Sequence, residues 1–232
     1  MTLSYGRFVE DADLPGGYVP KNGGDLAIGP SGPYRRAFKR LLDLSLVLLA
    51  APFILPLVGI LALLVARDGG KPFYTQERVG LGGRVFRMWK LRSMVVDADA
   101  RMADYLASNP EARHEWEVNQ KLANDPRVTT FGSILRKTSL DELPQLWNVF
   151  IGDMSLVGPR PMMVCQRHLY PSPAYYRMRP GITGYWQTAG RHRTSFAARA
   201  GFDAAYEQEI SLATDVTLLF RTVGVVIKGT GC

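Results

Sequence analysis

The sequence predicts a mainly helical α+β chain. An N-terminal helix hairpin enters a membrane and returns, and a larger body on one side of it holds a small β-hairpin and amphipathic helices lying at the interface. Three observations predict this. The run 44–66 carries no charge over about 23 residues. Basic residues crowd both flanks of that run. Beyond it, short helical patterns outnumber extended ones, and one glycine cluster separates two short strand-like arms.

The elements follow in order. Residues 1–33 include "DLPGGYVPKNGGDLAIGPSGP", Gly/Pro-rich and without period, which predicts a disordered tail. The basic start and short apolar core of a signal peptide are missing from it. Residues 34–68 form the membrane-anchoring unit. As a straight helix the uncharged run reaches ~35 Å, enough to cross a bilayer core. A soluble core helix is rarely apolar on every side for such a length. Pro52 and Pro56 lie four apart within the run, near one face, and each removes a helical hydrogen bond. Arg35, Arg36, Lys39 and Arg40 precede the run, and Arg67, Lys71, Arg78 and Arg84 follow it. Basic flanks prefer the cytoplasmic side, so a simple span offends that preference at one end. A re-entrant path broken at Pro52 and Pro56 satisfies it at both.

Residues 69–232 form the body. "KPFYTQERVGLGGRVFRMWKLRSM" reads as two arms around Gly80–Gly83. Arg87, Lys90 and Arg92 alternate there with Phe86 and Trp89. That mixture is compatible with nucleic acid, but directly after a membrane segment it more simply touches anionic headgroups. Helix formers run from Asp97 to Leu122 with a break at Asn109-Pro110, and "NDPRVT" turns into another short helix. Two later loops, "IGDMSLVGPRPM" and "RMRPGITGYWQTAGR", frame Arg160 and Arg179 with prolines and glycines. Such loops suit phosphate or carboxylate binding, and they are equally ordinary turn chemistry. The C-terminal "DVTLLFRTVGVVIKGTGC" predicts an apolar helix.

Composition narrows the function. Lys+Arg number 28 against 21 Asp+Glu, a formal net charge of +7, which favours an anionic partner. Two cysteines, Cys165 and Cys232, are too few for a disulfide framework. The three histidines are scattered, and neither a P-loop nor a dinucleotide fingerprint stands out. The chemistry-bearing stretch is "LRKTSLDELPQLWNV". There Ser139 and Glu142 have capping-box spacing, with Asp141 between them in a first helical turn. On residues alone that acidic pair reads as a cap or as chemistry.

Five stretches in order, "KRLLDLSLVLLAAPFILPLVGILALLV", "FYTQERVG", "KLRSM", "SLDELPQLWNVFIGDMSLVGPRP" and "RPGITGYWQTAGR", resemble the bacterial sugar transferases, or monotopic polyprenyl-phosphate phosphoglycosyl transferases. The likeness runs from Tyr34 to the C-terminus. "RTSFAARAGFDAAYEQEISLATD" is similar to the short ExoY-type members that start exopolysaccharide repeat units.

That resemblance implies transfer of a hexose-1-phosphate, galactose or glucose, from a UDP-sugar to undecaprenyl phosphate at the cytoplasmic face of the inner membrane. UMP is released, and downstream glycosyltransferases follow. It implies Asp141 as nucleophile and Glu142, with Asp141, as holder of Mg2+. The re-entrant break maps onto Pro56, although Leu55 stands where some members have serine. The arginine candidates for the diphosphate are Arg136, Arg160 and Arg179, with Lys90, Arg92, Gln187 and Arg191 as weaker substrate contacts. A helix N-terminus at Ser139 would add N–H dipoles. No nucleic acid is expected as a partner. The competing reading is a membrane-surface protein that binds anionic lipid without turnover.

Overall fold

The computed structural model describes residues 32–119, 122, 124–170, 172–189, 196 and 198–227. Residues 1–31 of the expected tail, Arg191, His192 and Cys232 lie outside the described residues.

A π-helical turn, Tyr34–Phe38, leads into α1, Lys39–Ala66. Leucine-rich composition favours this helix, and nothing charged interrupts it from 44 to 66. Helical backbone continues through Pro52 and Pro56. The two arms expected on either side of the prolines are therefore halves of one helix. Both ends of α1 seat on the body: Asp43 and Val47 are buried near the start, and Leu61, Ala62 and Val65 near the end. Between them Leu48, Leu49, Phe53, Leu55 and Ile60 face outward. Only 17% of its most apolar stretch is buried, so most of the apolar surface of α1 is not packed in the protein's own core.

The hairpin forms as the sequence predicts. β1, Phe73–Val79, pairs antiparallel with β2, Val85–Leu91, with Phe73 opposite Leu91 and Val79 opposite Val85. A short 3-10 turn at Leu81–Gly83 joins them, and Gly82 and Gly83 take the positive φ that glycine tolerates. The expected break at Asn109-Pro110 separates α2, Ala98–Ser108, from α3, Pro110–Asn119. Asn109 Oδ1 accepts from Ala112 N at 3.1 Å. Next comes α4, Thr130–Thr138, capped by Thr129, whose side chain accepts from Gly132 N at 2.8 Å.

The stretch after α4 departs from expectation. Ser139 is no capping-box residue. It adopts the left-handed conformation, φ 58°, and its side chain makes no cap hydrogen bond. Leu140–Glu142 then form a three-residue 3-10 turn, and α5 begins only at Gln145, running Gln145–Ile151. Proline at 144 explains the delay, because it carries no N–H and starts a helix more readily than it continues one. A helix N-terminus at Ser139 is therefore not available to a ligand.

A second, parallel sheet was not legible: β3, Ser155–Val157, pairs with β4, Gly181–Thr183. Three-residue strands carry no readable period. Their glycines are now explained, since a Cβ on Gly181 would stand 2.1 Å from Gly158 N. This close approach stitches the two Arg-Pro loops together through Ser155 N to Pro180 O, 2.9 Å, and Gly181 N to Pro159 O, 2.8 Å. α6, Tyr185–Ala189, α7, Arg199–Glu209, and α8, Leu212–Ile227, complete the body.

One hydrophobic cluster decides where the acidic pair sits. Leu61, Ala62 and Val65 of α1 pack with Leu91 of β2 and Leu135 of α4, and Leu140 and Leu143 pack against them. Each fully buried leucine there contributes about 1.5–3 kcal/mol. Leu140 and Leu143 flank Asp141 and Glu142 in the chain, so the turn is fastened to the C-terminal foot of the apolar helix.

Candidate active site

Asp141 and Glu142 face β2. Lys90 Nζ lies 2.7 Å from Glu142 Oε1 and 3.6 Å from Asp141 Oδ2. Asp141 is buried, at 7% exposure. Burial raises its carboxyl above the ordinary aspartate value, Lys90 pulls it back down, and the neighbouring Glu142 charge pushes it up again. The left-handed Ser139 makes the sharp corner that delivers the pair. A non-glycine residue there costs roughly 1–2 kcal/mol, and such strain gathers at functional sites.

The device that holds β2 in register with this turn is Asn148, fully buried on α5. Its Oδ1 accepts from Trp89 N at 3.0 Å and its Nδ2 donates to Arg87 O at 2.8 Å. The side-chain amide thus imitates a neighbouring strand along the edge of β2, one residue from Lys90. Its sequence signal is an Asn inside an apolar helical pattern.

The candidate arginines separate. Arg136 donates from Nε to Ser93 Oγ at 2.9 Å, and its charge reaches Asp141, favouring the ionised carboxyl. Arg160 stands over the Trp186 ring at 5.7 Å. There it joins Arg199, which no sequence motif marks, and Arg78, read from the sequence only as a basic flank of the uncharged run. Arg199 covers Trp186 at 4.0 Å, and Arg78 donates from Nη1 to Pro161 O at 3.2 Å. Burial, and then Arg160, pull the Arg199 guanidinium down to about 10, and the same two causes lower Arg78. Glu142 acts on Arg78 in the opposite sense, so the cationic group extends to the acidic turn.

Arg179 is turned elsewhere. Its Nε donates to Gly152 O at 2.9 Å, at the end of α5. Arg92 is committed to structure. All five of its N–H groups are used, on Lys71 O, Met94 O, Val65 O and both oxygens of Asp68, which ties the end of α1 to β2. Gln187 is buried in α6.

Among the described residues no group of three or more His, Cys, Asp and Glu converges on a metal position. Two adjacent carboxylates still fit magnesium held jointly with substrate. That ion uses one or two carboxylates and takes its other oxygens from phosphates and water.

A buried carboxylate set against a lysine at the foot of an apolar helix, with guanidiniums beyond it, suits transfer of an anionic group at a membrane surface. The model of the bacterial sugar transferase family matches residues 34–229. The chain belongs to that family of enzymes. Within it, the chain is of the ExoY-like kind. It is 41% identical over 217 residues to the exopolysaccharide production protein ExoY of Sinorhizobium fredii, a match covering 92% of this chain and 94% of that protein. It is 47% identical over 198 residues to a UDP-galactose-lipid carrier transferase of Erwinia amylovora, and 43% identical over 198 residues to an undecaprenyl-phosphate galactose phosphotransferase of Salmonella typhimurium. Those two matches cover 84% of this chain but only 42% of the relative, so the chain spans under half of their length.

Proposed function

We propose that this protein transfers a hexose-1-phosphate, galactose or glucose, from a UDP-sugar to undecaprenyl phosphate, the first step of an exopolysaccharide repeat unit. The names of its relatives support the reaction class. The observation that carries the mechanism is the Asp141–Lys90–Glu142 group fastened to the foot of α1 through Leu140 and Leu143.

Asp141 is the nucleophile. One carboxylate oxygen attacks the phosphorus bearing the sugar, and the bond from that phosphorus to the bridging oxygen breaks. The electron pair leaves on UMP, and the sugar phosphate stays on Asp141 as an acyl phosphate. The phosphate oxygen of undecaprenyl phosphate then attacks the same phosphorus. The bond to Asp141 breaks, freeing the carboxylate and forming undecaprenyl diphosphate-sugar. Burial suits the step, because a carboxylate poorly solvated by water is the better nucleophile, while Lys90 and Arg136 favour its ionised form against the effect of burial.

The diphosphate carries negative charge toward a carboxylate, so that charge must be neutralised. Arg78 and Arg160, with Lys90 released from Glu142, do so on the protein side. Glu142, with Asp141, would hold Mg2+, which when bound would supply further charge neutralisation at the diphosphate oxygens.

The membrane reading is that α1 enters the bilayer and returns, with the body on the cytoplasmic face of the inner membrane. It is supported by the seating of both ends of α1 on one body while its middle is exposed. Exposed Trp147, Phe150 and Ile151 on α5, and Leu212, Phe220 and Val223 on α8, supply apolar surface for the headgroup level.

The test is UMP release by the full chain with magnesium and undecaprenyl phosphate across a panel of UDP-sugars. Turnover with UDP-galactose or UDP-glucose supports the proposal. Absence of UMP with every donor would leave only the lipid-binding reading.

A further inference from the structure

At the opposite end of α1 from Asp141 lies a cavity of about 200 Å³ that the reaction does not use. Neither Lys90, Asp141 nor Glu142 lines it. Five cations do: Arg35, Lys39 and Arg40 from the start of α1 and its leading turn, and Arg177 and Arg179 from the loop before β4. Three acids answer them. Glu207 pairs with Arg35 at 3.0 Å and with Arg177 at 2.7 Å, Asp215 pairs with Lys39 at 2.6 Å, and Asp43 shares the wall. Two positive charges are left over.

Their donors are only partly used. Arg40 donates to Val149 O and Phe150 O at the end of α5, and Arg179 spends its Nε–H on Gly152 O. These two cations are close enough to repel each other. The buried Nη1 of Arg35 has no hydrogen-bond partner. A half-buried cationic cluster with spare N–H donors favours the entry of an anion.

We propose that this cavity is a second anion site, which takes the phosphate of a membrane lipid headgroup. Two surplus charges and several spare N–H groups match a phosphate, and guanidinium forks suit its oxygens. At about 30 Å³ per water, the volume holds a phosphate group and a few waters. Place identifies the source. Phe38 and Leu41, chain neighbours of the lining residues Lys39 and Arg40, are both exposed, and the outward-facing leucines of α1 begin two turns further on. A headgroup phosphate bound there pins the N-terminal foot of α1 at the membrane surface. The lipid source rests on the membrane association proposed above, whereas the anion site itself does not.

Leu81, at the hairpin tip, allows a test without cutting into packing, because it lines the cavity and is 44% exposed. Native mass spectrometry of the full chain in detergent measures retention of phosphatidylglycerol, of diacylglycerol lacking the phosphate, and of inorganic phosphate. The expected result is one retained phosphatidylglycerol per chain and no retained diacylglycerol. Leu81→Glu should lower occupancy about tenfold, while Leu81→Gln stays within about twofold. Arg179→Gln, folded by thermal melt, should lower it similarly, and Asp141→Asn should leave it unchanged. Retention indifferent to Leu81→Glu and Arg179→Gln overturns the site. Retention lost in Asp141→Asn overturns it too, by moving the lipid phosphate to the catalytic turn. Inorganic phosphate bound with the same Leu81→Glu sensitivity, but without lipid, sustains the anion site and overturns its lipid source. UMP release is read in parallel, so failure of this site and failure of the proposed reaction are separate results.

Discussion

Lys90 and Glu142 form an ion pair of 2.7 Å across the gap between β2 and the turn before α5, and the same ammonium stands 3.6 Å from Asp141. One cation therefore serves two carboxylates, and its removal has a readable sign. Burial raises the Asp141 carboxyl and Lys90 lowers it. A nucleophile must be ionised, so the acid limb of kcat/KM should lie above the ordinary aspartate range. Lys90→Gln should move that limb to still higher pH and cut the rate about 10–100-fold. A pH–rate profile checks both, and an unmoved limb would separate Lys90 from Asp141.

Asn148 is predicted to be a positioning residue. Asn148→Leu leaves Trp89 N and Arg87 O without their partner at the edge of β2. Two unsatisfied backbone groups should cost about 2–4 kcal/mol in denaturant unfolding. The lysine-bearing strand should also lose its register, so kcat should fall more than stability explains. Asn148→Asp, which keeps only the acceptor, should recover the bond from Trp89 and little activity.

Asp203 offers a stability test away from the turn. It is buried on α7, accepts from the Tyr170 hydroxyl, and burial pushes its carboxyl up to about 7. Between about pH 4 and pH 7 the unfolded chain has lost this proton and the folded chain keeps it. Stability should therefore fall as pH rises through that window. Asp203→Asn should flatten the slope in thermal melts taken across pH. A slope that survives the substitution would assign it to another group.

Much of this arrangement was legible in the sequence because it rests on period and punctuation. The uncharged run gave α1, the Gly80–Gly83 cluster gave the hairpin turn, and Asn109-Pro110 gave the gap between α2 and α3. What was hidden depends on contacts far apart in the chain. Ser139 had every local mark of a cap, yet Pro144 delays the helix and Ser139 turns left-handed to aim Asp141 at β2. Arg160 and Arg179 sit in similar loops that β3 and β4 sew together, but one side chain goes to Trp186 and the other to Gly152. Spacing does not encode that divergence. Arg78 and Arg199 become neighbours of Arg160 only once the hairpin meets the α7 region.

The re-entrant path is tested by labelling. Gly32→Cys, where an added Cβ meets nothing within 4 Å, and Arg67→Cys each mark one end of α1 in a Cys165→Ser/Cys232→Ser background. Neither should react with an impermeant maleimide in intact cells until the inner membrane is opened. Pro52→Ala with Pro56→Ala restores two helical N–H donors and should straighten α1, exposing position 32 to the outside. Labelling of position 32 in the chain with both prolines intact would establish a simple span.

The most direct measurement is the mass of the protein after incubation with UDP-galactose or UDP-glucose and magnesium, with the lipid acceptor withheld. A hexose phosphate is expected on the peptide carrying Asp141. Undecaprenyl phosphate should discharge that group, and Asp141→Asn should form no adduct and lose at least about a thousandfold in rate. An adduct that persists in Asp141→Asn, or full turnover by that variant, would contradict the assignment of Asp141 as the nucleophile.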